Sequence, residues 1–71
     1  MRYMVVLEKG PVSYGAYVPD LPGCVAAGET KDETIRLIQE AIEFHLEGLQ
    51  EEGLPTPESS STVEIVEVRA A

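Results

Sequence analysis

Only one stretch of this chain carries the period of a helix, and that limits what the rest can build. Apolar residues recur at Ile35, Ile38, Ile42, Leu46 and Leu49, along one helical face. Thr30-Lys31-Asp32-Glu33 opens the stretch as a capping box, in which the threonine hydroxyl and the Glu33 carboxylate satisfy free amide groups reciprocally. Asp32 and Glu33 suit the positive end of the helix dipole. Gly53 stops the helix and Pro55 bars its continuation. One amphipathic helix covers one face of one sheet, so the remaining residues must supply that sheet.

They read as four strands. Residues 2–8, apolar from Tyr3 to Leu7 with β-branched Val5 and Val6, read as a strand, and Lys9-Gly10-Pro11 is a turn signal. Ser13–Val18 is a second run, whose short link to the first implies an antiparallel hairpin. Pro19-Asp20-Leu21-Pro22-Gly23 breaks the pattern, with Pro22-Gly23 suited to the centre of a type II turn. Cys24–Gly28 is a short third strand, Gly53–Ser61 a loop, and Thr62–Val68 a last strand. The fold class is therefore α+β in the order β-β-β-α-β. A three-stranded antiparallel meander is expected, with one helix on one face. A right-handed crossover would bring the fourth strand beside strand one and parallel to it.

Such a sheet has one face too many. Strand one sets Tyr3, Val5 and Leu7 against Met4 and Val6 on the other side, and strand four sets Val63 and Ile65 against Val66 and Val68. A sheet that is apolar on both faces expects cover on both. The second face or an edge strand is thus expected to meet another chain, with Met4, Val6, Val66 and Val68 as the candidate self-association residues. A chain of 71 residues has a thin core, which makes a homodimer or higher homo-oligomer the expected state.

Chemistry-bearing residues are few. Cys24 and His45 are the sole thiol and imidazole, so there is neither an internal disulfide nor the four ligands of a structural zinc site. Cys24 has no nearby cation to lower its pKa and reads as a packed cysteine. His45 flanks the apolar stripe and reads as a packed or rim residue. Glu40, Glu43, Glu47 and Glu51 share one helix face, opposite the stripe. That face is either plain solvated surface or a landing site for a basic partner. No phosphate loop or nucleophile elbow is present. No metal, cofactor or catalytic residue is expected.

Thirteen acidic residues against five basic ones give a net charge of -8. Such a chain repels phosphate, so direct nucleic-acid binding is not expected, whereas a basic protein would be attracted. The apolar N-terminal run ends at Leu7, short of a secretory h-region, and no segment approaches the ~20 apolar residues of a membrane span. The expected location is cytoplasmic, with no membrane contact.

The run Tyr14-Gly-Ala-Tyr-Val-Pro-Asp-Leu-Pro-Gly-Cys-Val-Ala-Ala-Gly-Glu-Thr, then Glu40-Ala-Ile-Glu-Phe-His-Leu-Glu and Gly53-Leu-Pro-Thr-Pro, resembles the HicB antitoxin family in both composition and order. The resemblance covers nearly the whole chain, read as a single domain over residues 1–71. It implies a partial ribonuclease-H-like fold. It also implies a partner: HicA, a small basic RNA-cleaving toxin with a double-stranded-RNA-binding-like fold and a catalytic histidine, whose active site the antitoxin blocks. Many family members carry a C-terminal DNA-binding domain; this sequence ends at Ala71, just after the last strand, so operator binding is not carried over.

A ribonuclease-H-like scaffold does not confer nuclease activity, which needs clustered carboxylates on metal ions. The strands offer Glu8, Glu64 and Glu67, with nothing to make them converge. The expectation is a toxin-masking interaction protein rather than an enzyme. The alternatives are a nucleic-acid hydrolase on that scaffold or a self-associating module with another partner. Exposure and charge nominate Asp20 and Leu21 in the loop, with Glu43 and Glu47 on the helix, as the partner-binding surface.

Overall fold

The helix begins where its cap residues require. In the computed structural model, which describes residues 1–70, α1 spans Lys31–Glu51. The Thr30 hydroxyl accepts from the Glu33 amide at 3.1 Å, and Glu33 Oε1 accepts from the Glu29 amide at 2.9 Å. The reciprocal half of the box therefore closes one residue earlier than a standard box, on Glu29 instead of Thr30. At the other end Gly53 takes φ +70°, the left-handed conformation that glycine adopts without strain.

Three strands form the sheet in the order β1-β2-β3, antiparallel throughout: β1 Val6–Lys9, β2 Tyr14–Tyr17 and β3 Val25–Gly28. Strand one is shorter than the run of apolar residues. The register pairs Val6 with Tyr17, so the next two positions would set Val5 against Val18 and Met4 against Pro19. The Val18 amide points to the β3 side, where it donates to the Cys24 carbonyl at 3.2 Å, so Pro19 is the next position that would bond β1, and proline has no amide to give. The ladder stops there.

The loop between β2 and β3 is two successive turns. Leu21 N–H donates to the Val18 carbonyl and Cys24 N–H to the Leu21 carbonyl, both at 3.1 Å. Gly23 at φ +83° takes the positive-φ place after Pro22, as a type II turn demands. One turn per three residues puts Val18, Leu21 and Cys24 on the same side, and all three are buried. They form the core with Ala16 and Ile38. Full burial of a residue such as Ile38 or Leu21 stabilises the fold by about 1.5–3 kcal/mol.

The helix lies over β3 and β2, with little contact to β1. Gly28 of β3 is the point of closest approach: a Cβ there would sit 2.7 Å from Thr34 Oγ1 and 3.2 Å from the Thr34 amide. Thr34 itself is buried and donates its hydroxyl to the Thr30 carbonyl at 2.7 Å.

The expected fourth strand is corrected by the structure. Thr62–Val68 pairs with no strand, and Val63, Ile65, Val66 and Val68 are exposed, Ile65 at 94%. The reason lies upstream. The Tyr3 hydroxyl donates to the Pro57 carbonyl, and Ser60 and Ser61 bind Asp20. These bonds root the segment at the loop after β2, and beyond Ser61 it leaves the body. Among the described residues the sheet is three-stranded, with β1 and β3 at its edges.

Candidate functional site

The carboxylate of Asp20 is fully engaged. Oδ2 accepts from the amides of Ser60 and Ser61, each at 3.1 Å, and Oδ1 from their hydroxyls at 3.2 and 2.8 Å. The Ser61 amide and then its hydroxyl do most to hold the acid below its ordinary value; burial opposes them, and the Ser60 hydroxyl and amide add lesser effects in the lowering direction. Asp20 thus anchors the C-terminal segment and is not a free charge on an open loop. Leu21 corrects the sequence expectation outright: it has no exposed surface and cannot touch a partner.

Glu43 and Glu47 do stand in solvent, as do Glu40 and Glu51. The last helical turn carries no basic residue, so Glu47, Glu51 and Glu52 all face the negative end of the dipole, an arrangement unfavourable for the helix itself. Each such charge costs a few tenths of a kcal/mol in an exposed helix, so the acidic face is not there for helix stability.

Two grooves flank the helix. One, of about 690 Å³, lies between the helix and the β1 side of the sheet, lined by Tyr3, Val5, Leu7, Ile35, Ile42 and Leu46 among others. The other, of about 460 Å³, includes Cys24, Val25, Phe44, His45 and Leu49. Cys24 and His45 share this second groove, but burial pushes the Cys24 thiol up, away from the reactive thiolate.

Of the self-association candidates, Val6 alternates with the core-facing Leu7 and so lies on the sheet face away from the helix, in one rank with Tyr17 and Val25. Met4 precedes the strand, and Val66 and Val68 lie on the unpaired segment, so the structure does not gather the four into one patch. Sequence reasoning missed Phe44, which is 79% exposed. Its signal was present: the only phenylalanine stands out of phase with the isoleucine stripe. It also missed Ser60 and Ser61, whose serine-rich setting reads as plain loop.

Among the described residues, no group of three or more His, Cys, Asp or Glu side chains is placed to hold a metal ion. Glu8 lies in β1, while Glu64 and Glu67 lie on the unpaired segment. No helix of the described residues is long and apolar enough to cross a membrane.

Comparison with known proteins gives these surfaces a context. Residues 3–70 match the family described as the HicB-like antitoxin of bacterial toxin–antitoxin systems. The chain is similar to the N-terminal domain of the Burkholderia pseudomallei antitoxin HicB, at 39% identity and TM-score 0.74, over 82% of this chain and 69% of that one. It is also similar to a chain of a HicA3–HicB3 toxin–antitoxin complex, at 31% identity and TM-score 0.67, over 83% of this chain and 72% of that one. A 14.9 kDa protein from the rep–hol intergenic region of Haemophilus phage HP1 is 42% identical over 60 residues, which is 84% of this chain but 45% of the phage protein, so the chain spans about half of that relative's length. The α+β architecture, the two-turn Pro-Asp-Leu-Pro-Gly-Cys loop and the match across residues 3–70 lead to one assignment: this chain belongs to the HicB-like antitoxin family of bacterial toxin–antitoxin systems.

Proposed function

We propose that this chain neutralises a small basic toxin of the HicA type by binding it and covering its active site, acting in the cytoplasm and not as an enzyme. The observation that carries this reading is the similarity to a chain of a HicA3–HicB3 complex over 83% of the sequence. The charge of -8 supports a basic partner, and the exposed acids of α1 offer it a surface. Glu43 and Glu47 belong to that contact surface; Asp20 contributes by holding the C-terminal segment, and Leu21 by packing in the core. Nucleic acid and membrane surfaces, which are anionic, are disfavoured partners for such a chain.

The test is co-expression with any small basic protein encoded beside this gene. A stable complex on size exclusion, with growth restored in cells arrested by that protein, is the expected result. A neighbour that neither binds the chain nor is neutralised by it overturns the reading.

A further inference from the structure

We infer, building on the toxin reading, that the basic partner anchors in the groove between the C-terminal half of α1 and the start of β3, on Phe44 and Gly48. The groove takes an apolar side chain of that partner, and arginine or lysine side chains around it meet Glu40, Glu47 and Glu51.

Only one of two apolar stripes on α1 enters the core, through Ile38, Ile42 and Leu46. Leu37, Ala41, Phe44 and Gly48 follow one another at steps of four, three and four residues, so they share a second face of the helix. Leu37 and Ala41 are half-buried, whereas Phe44 and Gly48 are exposed. Ala41, Phe44 and Gly48 line the groove of about 460 Å³, whose other bank includes Cys24 and Val25. Phe44 is 79% exposed and Val25 65%. An exposed aromatic ring beside an apolar trough is the composition of an interface anchor.

The fold itself does not account for Gly48. Glycine inside a helix is a poor helix former, and its usual justification is close approach of another group to the backbone. At Gly28 that group belongs to this chain, since a Cβ there would strike Thr34. At Gly48 a Cβ would meet nothing within 4 Å. The space beside Gly48 is open to a group from outside, next to the most exposed aromatic ring of the chain.

Charge selects the occupant. Glu40, Glu47 and Glu51 stand four residues before Phe44, three after it and seven after it, all exposed, and Glu52 lines the groove. No lysine or arginine lies between Arg36 and Arg69. A second copy seated here would set these acids against their own kind, and nucleic acid or an anionic membrane would meet them with phosphate. A basic protein gains from both features of the surface. Its apolar anchor is buried over Gly48 while its cations pair with the glutamates, and an arginine can stack on the Phe44 ring.

The test uses the full chain, with any small basic protein encoded beside its gene as the probe. Phe44→Ala is expected to raise the dissociation constant at least tenfold, chiefly through faster dissociation, with the thermal midpoint unchanged. Gly48→Leu puts a side chain into the groove and is expected to weaken binding at least tenfold while the thermal midpoint holds or rises, because leucine is the better helix former. A stabler free chain with a weaker complex is an outcome that a purely structural role for Gly48 would not give. Glu40→Lys with Glu51→Lys is expected to slow association and flatten its salt dependence. A probe that binds the wild type and both the Phe44→Ala and Gly48→Leu chains equally overturns the groove and leaves the toxin reading standing. A probe that binds no form of the chain overturns both. If Gly48→Leu loses the far-UV helix signal, Phe44→Ala alone decides.

Discussion

Asp20 grips Ser61, 41 residues further along the chain, with both carboxylate oxygens: the amide donates to Oδ2 at 3.1 Å and the hydroxyl to Oδ1 at 2.8 Å. A buried or half-buried carboxylate that accepts amide and hydroxyl hydrogens is stabilised as the anion. In this fold that anion decides where the C-terminal segment departs from the body, and so which surfaces stay open to other chains.

The pH dependence of that anchor follows from the lowered acidity of Asp20. In the unfolded chain the group titrates near the ordinary value of about 3.9; in the fold it titrates lower. Its contribution is therefore complete above the ordinary value and disappears as pH falls through the lowered one. The protection factors of the Ser60 and Ser61 amides in hydrogen exchange should be flat above about pH 5 and should fall only in stronger acid. Asp20→Asn, which leaves a single accepting oxygen, should exchange quickly at every pH with helix content intact. A wild-type chain whose two amides are unprotected at neutral pH contradicts the anchor.

Leu21 lies under the loop, so it should matter to stability and not to direct contact. Leu21→Ala should destabilise the chain by about 2–5 kcal/mol in urea or thermal unfolding, the usual cost of emptying a well-packed leucine site. Phe44→Ala, at an exposed position, should stay within about 0.5 kcal/mol of the wild type. Equal effects of the two substitutions would mean that the loop does not close over the core.

Gly28 and Gly15 give a paired test of how the helix seats. Gly28→Ala places a methyl group 2.7 Å from Thr34 Oγ1 and 2.8 Å from Glu33 Oε1. It should cost about 1–3 kcal/mol, since the helix N-terminus has to shift. Gly15→Ala meets nothing within 4 Å and should be neutral or slightly stabilising, because alanine lowers the entropy of the unfolded chain. Denaturation midpoints of the two variants decide it.

Charge reversal tests the acidic helix face against a basic partner. Glu43→Lys with Glu47→Lys should slow association roughly tenfold at low salt and flatten the salt dependence, while leaving dissociation little changed. Stopped-flow or surface-resonance kinetics at several ionic strengths is the measurement. Identical salt slopes would remove these two residues from the encounter surface.

What the sequence alone determined is the set of local elements. Thr30, Glu33 and Gly53 bound the helix through hydrogen bonds and a left-handed glycine that lie within a few residues of one another. Pro22-Gly23 gave its turn away for the same reason, and the hairpin was legible from two apolar runs and a short link. Tertiary structure decided the rest. Leu21 looked like a loop surface residue, and only the two-turn path from Val18 to Cys24 turns it inward. Asp20 looked like a free charge, and only the return of Ser60 and Ser61 occupies it. Thr62–Val68 has the alternation of a strand, but a strand requires a partner edge, and alternation says nothing about which edge lies within reach. That is fixed by contacts 40 residues and more apart, which side-chain pattern along the chain does not encode.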